Sequence, residues 1–194
     1  MDSKEFVKKY LDLFKKDGPN YAIACEKYVN NKDFTYYITE KLKDLLKSDE
    51  NYDVSTEYYR IDVSSWEQLR DKNELNPDDE HKLSTYLWNF EVAVEHENDD
   101  KAWMDEIVKL LHIICPLRVV ICYLPMKQRD KDLYYLNKIY EKIKTLYAFE
   151  NNNFDKNEFI VIIGNSKCEK KEENFFNYHA YKLTKIGFEV FSVK

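Results

Sequence analysis

The chain has 194 residues, 44% of them hydrophobic and 15% aromatic, which suits a sizeable packed core and excludes a disordered polypeptide. Thirty-six acids against 30 bases leave a formal charge of −6, so a generic basic coat for nucleic acid is excluded and any such contact must be local. Its three glycines (Gly18, Gly164 and Gly187) lie far apart, so neither a dinucleotide fingerprint nor a P-loop can be written.

The first 48 residues read as a helical layer. Phe6, Val7, Tyr10, Leu11 and Phe14 fall at helical spacing, and Asp17-Gly18-Pro19 ends that stretch. Tyr21, Cys25, Tyr28 and Val29 form a second stripe. Phe34, Ile38, Leu42, Leu45 and Leu46 form a third, with Asp33 as its expected N-cap.

The period then changes. Residues 52–66 are rich in β-branched and aromatic types and predict a strand. Tyr59, Ile61 and Val63 share one face of it; Tyr58, Arg60 and Asp62 share the other. A polar stretch over 67–82 contains the turn signal Asn76-Pro77-Asp78-Asp79. A second strand is expected over roughly 84–97, with Glu91, Ala93, Glu95 and Glu97 on one face and Val92, Val94 and His96 on the other.

Asp99 or Asp100 is the expected cap of a helix carrying Trp103, Ile107, Val108, Leu110 and Leu111. After Pro116, residues 117–124 form a continuous apolar run typical of a buried strand. A long amphipathic helix is expected over about 130–147, with Leu136, Ile139, Tyr140 and Ile143 inward. Residues 159–164 read as another buried strand, and 178–193 as alternating strand or as a short helix plus strand. Without a repeat or linker, one α/β domain over 1–194 is the economical reading: helical layer 1–48, core 52–124, then 128–194.

The four cysteines form no C-x-x-C pair, which suggests reduced thiols. The N-terminus is unlike a cleaved signal peptide, and no apolar stretch approaches the ~18 residues of a membrane span. A cytoplasmic protein with no membrane partner is expected.

Chemistry concentrates at three carboxylates. Asp62 stands late in the first strand, and Glu95 and Glu97 close the second at alternate, same-side positions. If the two strands pair antiparallel, Asp62 faces the Glu95/Glu97 edge. Adjacent carboxylates repel unless water, a cation or a base compensates them. Oxygen ligands on a sheet edge suit Mg²⁺ or Mn²⁺, and such an ion polarises a phosphoryl oxygen and activates a bound water.

The order helix, strands, Asp62, then Glu95-x-Glu97, helix, strand resembles the PD-(D/E)XK (restriction-endonuclease-like) nuclease superfamily over roughly residues 34–124. The resemblance implies an α/β fold with a mixed central sheet flanked by helices, and Asp62 and Glu95 as ligands of a divalent metal. Ile61 stands where the family has proline, and Glu97 stands at the usual lysine. Some restriction enzymes carry E-x-E there, the second glutamate serving as base or extra metal ligand. Lys101 and Lys109 are candidates for a displaced lysine. The implied activity is metal-dependent hydrolysis of DNA phosphodiesters, of restriction or repair type, with a homodimer as the implied assembly. The alternative is an inactive nuclease-like scaffold that binds protein or nucleic acid. A partner-binding adaptor without nuclease ancestry is a third reading.

Each residue also has a plainer role. Asp62 pairs with Arg60 or a lysine on an exposed face, and Glu95 and Glu97 form a solvated strand end or helix-entry charges at the positive end of the following helix dipole. His96, on the opposite face, reads as a packed or hydrogen-bonded histidine, and Lys109 as a surface lysine. No histidine pair has metal spacing, and no G-x-S-x-G elbow occurs.

Overall fold

A computed structural model describes residues 1–47, 52–58, 60–68, 88–99, 102–166 and 176–193. The expected turn at Asn76–Asp79, the face of Tyr59, strand residues 84–87, Asp100 and Lys101 lie outside the described residues. The chain is α/β: a seven-stranded mixed sheet flanked by helices.

The helical layer comprises α1 (Ser3–Leu13), α2 (Pro19–Lys27) and α3 (Asn31–Leu46). Asp2 caps α1 by accepting the Glu5 N–H. Gly18 and Pro19 open α2, proline at the first position supplying the fixed φ a helix start needs. Asn30 rather than Asp33 caps α3: its side chain accepts from the Lys32 N–H, and Asp33 sits in the first turn. In α2 only Ala24 is buried, and Val29, expected inward, is exposed beyond the helix end.

The strands are β1 (Tyr52–Tyr58), β2 (Ile61–Gln68), β3 (Trp88–Glu97), β4 (Leu117–Pro125), β5 (Glu158–Ser166), β6 (His179–Thr184) and β7 (Gly187–Phe191). Their spatial order is their chain order. The single strand expected over 52–66 is instead a hairpin, since Tyr58 pairs with Ile61 and Arg60 between them takes φ 62. No glycine or proline marks this turn, so periodicity ran through it. β2 pairs antiparallel with β3, Val63 opposite Val94, with an irregularity between Ser65 and Trp66. β3, β4 and β5 are parallel, and β5, β6 and β7 are antiparallel, so the C-terminal stretch is two strands.

Parallel neighbours need crossovers. The helix α4 (Trp103–Leu111) joins β3 to β4, and α5 (Asp132–Ile143) with the short α6 (Tyr147–Glu150) joins β4 to β5. The helix expected over 130–147 thus divides, and a 3₁₀ stretch, Met126–Lys131, precedes it. Because β3, β4 and β5 step in one direction, right-handed crossovers place both helices on one face. Accordingly α4 and α5 share a core cluster with Val120, Cys122, Val161 and Ile163, while α1 and α3 pack with Val94, Val119, Ile121 and Ile162 on the other face. Ile61, Val63, Val92 and Val94 are all buried, although Ile61, next to the left-handed Arg60, joins the α4 side. The cap of α4 is Ala102, with no side-chain bond, rather than Asp99.

Two features tie the helical layer to the sheet. Ser3 gives its N–H and hydroxyl to Glu158 at 3.0 and 2.8 Å, and Lys182 reaches the same carboxylate at 2.7 Å. Deeper in, Tyr178 stacks on Phe176 and meets Tyr10 edge-on, and its hydroxyl lies 3.1 Å from that of Tyr123. Gly164 makes that seat: a Cβ there would lie 2.6 Å from the Tyr178 ring and 3.0 Å from that of Tyr123.

Gly164→Ala should therefore cost roughly 1–3 kcal/mol, read as a lower urea midpoint at unchanged slope. An unchanged midpoint would show that the ring moves aside freely. For Glu158, burial raises the carboxyl pKa, but Lys182 and Ser3 outweigh it and hold the group below its ordinary value. A depressed acid stabilises the fold above its unfolded pKa and loses that contribution as pH falls through the folded one. Glu158→Gln should cost about 1 kcal/mol at neutral pH for this partly buried group. The gap between variant and wild-type melting curves should close below pH 4.5, the ordinary glutamate value.

Candidate active site

The β2–β3 register brings two of the three predicted acids together. With Val63 opposite Val94, Asp62 falls beside Glu95 at the end of the pair nearest the β1–β2 turn. The Asp62 carboxylate accepts the backbone N–H of His96 at 2.8 Å, which fixes it against β3. Its pKa is raised, by burial first; the His96 N–H and Lys109 oppose this, and Glu57 and Glu106 add to it.

Glu95 is 2% exposed, so it is no solvated strand end. Burial first, then Asp62, pushes its carboxyl up to about 9, against the pull of Lys109. One oxygen, Oε2, lies 2.9 Å from Lys109 Nζ; the other, Oε1, is buried and has no hydrogen-bond partner among the described residues. A buried carboxylate oxygen left without a donor costs free energy that an added cation or donor recovers.

Lys109 reaches this point from α4. The apolar stripe Trp103, Ile107, Leu110 and Leu111 seats the helix on the sheet and leaves Glu106 and Lys109 on its flank. The Lys109 ammonium also pairs with Glu106 and donates to the Arg60 carbonyl at 3.1 Å. Burial works to depress its pKa, and Glu106 and Glu95 outweigh that and raise it. Lys109 is therefore an ion-paired member of this cluster, not a free surface lysine. Sequence reading did not single out Glu106; its signal was the i,i+3 spacing to Lys109 beside an apolar stripe.

Glu97 lies one step further along the β3 face that carries Glu95, opposite Cys122 of β4. Its Oε1 accepts the Asp99 N–H at 2.7 Å, holding the turn after the strand. Among the described residues it forms no hydrogen bond or ion pair with Asp62, Glu95 or Lys109. His96 points to the opposite face, as alternation requires. Its Nε2 lies 3.0 Å from the Tyr123 hydroxyl, its ring packs against Phe34, and burial pushes its pKa down to about 3. It is a neutral core histidine.

Strain accompanies the charge. Glu57 and Arg60, at the hairpin end beside Asp62, have φ of 56° and 62°, the left-handed region that ordinary side chains disfavour. Asp62 and Glu95 offer hard carboxylate oxygens, one of them orphaned, which is the donor chemistry of a small divalent cation. Among the described residues no group of three or more His, Cys, Asp and Glu side chains is arranged to hold a metal ion. Compared with protein-family models, curated proteins and solved structures, the chain matches none. Among the described residues no helix is long and apolar enough to cross a membrane.

Acids outnumber bases around Glu95, so removing one charge should relieve the metal-free protein. Asp62→Asn keeps an oxygen for the His96 N–H while removing the repulsion on Glu95. Its melting temperature in chelator should rise by a few degrees at neutral pH. A fall would show that Asp62 is held mainly by attraction to Lys109.

Proposed function

We propose that this protein is a divalent-metal-dependent phosphodiesterase acting on DNA, an endonuclease of restriction or repair type. The observation that carries this reading is the meeting of Asp62 and Glu95 on adjacent strands with the Lys109 ammonium above them. Two acids and a lysine at the end of one strand pair is the constellation that the PD-(D/E)XK resemblance implies, with the lysine supplied by α4. The order α3, antiparallel β1–β2–β3, α4, parallel β4 supports a restriction-endonuclease-like core.

In this reading Asp62 and Glu95 hold Mg²⁺ or Mn²⁺. The bound ion supplies Lewis-acid polarisation of a phosphoryl oxygen and a lowered pKa for a bound water. Glu97, at the strand end beside them, orients that water or accepts its proton, or completes the metal shell. Lys109 offers its ammonium to the negative charge that builds on the phosphoryl oxygens. The overall charge of −6 leaves DNA steering to local basic groups.

One observation favours the second reading, an inactive scaffold of the same fold that binds protein or nucleic acid. Lys109 already occupies one oxygen of Glu95 and offsets part of its charge without any metal.

Cleavage assays on single-stranded, duplex and structured DNA and RNA, with Mg²⁺ and Mn²⁺ separately, decide between them. Asp62→Asn, Glu95→Gln and Glu97→Gln should each lower cleavage by roughly a hundredfold or more. Glu97→Gln should retain part of the metal binding, and Glu97→Lys should restore part of the activity. A wild-type protein that cleaves nothing in this panel yet binds nucleic acid or a protein leaves the scaffold reading.

A further inference from the structure

The Lys109 ammonium stands where a compensating cation for Glu95 would stand. It lies 2.9 Å from Glu95 Oε2, donates to the Arg60 carbonyl, and is within electrostatic reach of Asp62. A lysine is a point charge on a flexible four-carbon stem, so it can leave one acid for another at little cost. Glu106 provides the second acid: it pairs with the same ammonium from one turn back on α4. Glu106 belongs to the helix flank, so Lys109 can keep this partner when it releases Glu95. The Lys109 side chain is about one-third exposed, which leaves room on the solvent side for that movement. The orphaned Glu95 Oε1 is a second, independent sign that the acid is set up for a further cationic partner.

We infer that Lys109 is a tethered counter-cation that competes with a divalent metal for Asp62 and Glu95, and that Glu106 is the acid onto which it withdraws. This rests on the metal-dependent reading above and adds its regulation: the site is closed by its own lysine until metal opens it. Two like charges a few ångströms apart beside one carboxylate repel strongly, so the two cations exclude each other. With the ammonium seated, one Glu95 oxygen and Glu106 are both turned to it.

The test is Mn²⁺ binding by calorimetry on the full chain, with thermal melts of each variant, and no activity assay is needed. Lys109→Met should tighten Mn²⁺ binding by about tenfold or more, because the competitor is gone. The same variant should melt lower than wild type in chelator and gain more on adding Mn²⁺. Lys109→Arg keeps the charge and should keep the weaker wild-type affinity, which separates charge competition from a packing change. Glu106→Gln should weaken binding several-fold in the wild type, and by only about twofold or less in Lys109→Met, where nothing needs to withdraw. Unchanged or weaker Mn²⁺ binding in Lys109→Met overturns the inference while leaving the metal site standing. Equal losses for Glu106→Gln in both backgrounds overturn the role given to Glu106. Absence of Mn²⁺ binding in both wild type and Lys109→Met removes the metal reading itself, and this inference with it.

Discussion

Leu117–Pro125 has no polar face. Every residue of β4 from Leu117 to Leu124 is buried, including Arg118, so the strand must be covered on both sides and paired at both edges. Both neighbours, β3 and β5, run parallel to it, and parallel pairing demands a crossover for each. Handedness sends both crossovers to one face, which leaves the other face for α1–α3. The three-layer arrangement follows from this one doubly buried strand. So does the position of the charged cluster: α4 has to leave β3 at Glu97 and return along the sheet, carrying Lys109 back over Glu95.

The cluster is thus a by-product of packing. Nothing apolar could replace Lys109 without leaving Glu95 shut in with Asp62 and no counter-charge. Acids of this kind persist in a protein only when something compensates them. Here an ammonium offsets part of the charge, at 2.9 Å from Glu95 Oε2. His96, between the two glutamates in sequence, takes no part because the strand turns it into the aromatic core of the opposite layer.

Much of this was legible in the residues. Alternation around Val92, Val94 and His96 assigned faces correctly, because a one-residue slip in a half-buried strand would bury charge. The apolar runs at 117–124 and 159–164 announced doubly covered strands. The hairpin at Tyr58–Ile61 was hidden, since its turn uses Arg60 in a left-handed conformation rather than glycine or asparagine. The pairing of Asp62 with Glu95 followed from antiparallel alignment. The arrival of Lys109 and Glu106 depended on how far α4 travels back over the sheet, a tertiary quantity that no local pattern encodes. The bond from the Asp99 N–H to the Glu97 carboxylate was invisible for a different reason: the geometry of the chain after the strand decides it, not strand alternation.

Because the spatial order of the strands is their chain order, no strand has to be threaded between two that are already paired. During synthesis each newly emerged strand can add to the open edge left by the one before. β1–β2–β3 can zip as soon as they leave the ribosome, and β4 and β5 follow as their crossover helices form. At every stage the growing edge is unpaired, and it is most hazardous when the exposed strand is β4 or β5, whose side chains are apolar on both faces. Vectorial growth therefore trades topological simplicity for a brief, sticky frontier. The closing pair β6–β7 ends it with a shorter edge that carries Glu189 on its exposed side.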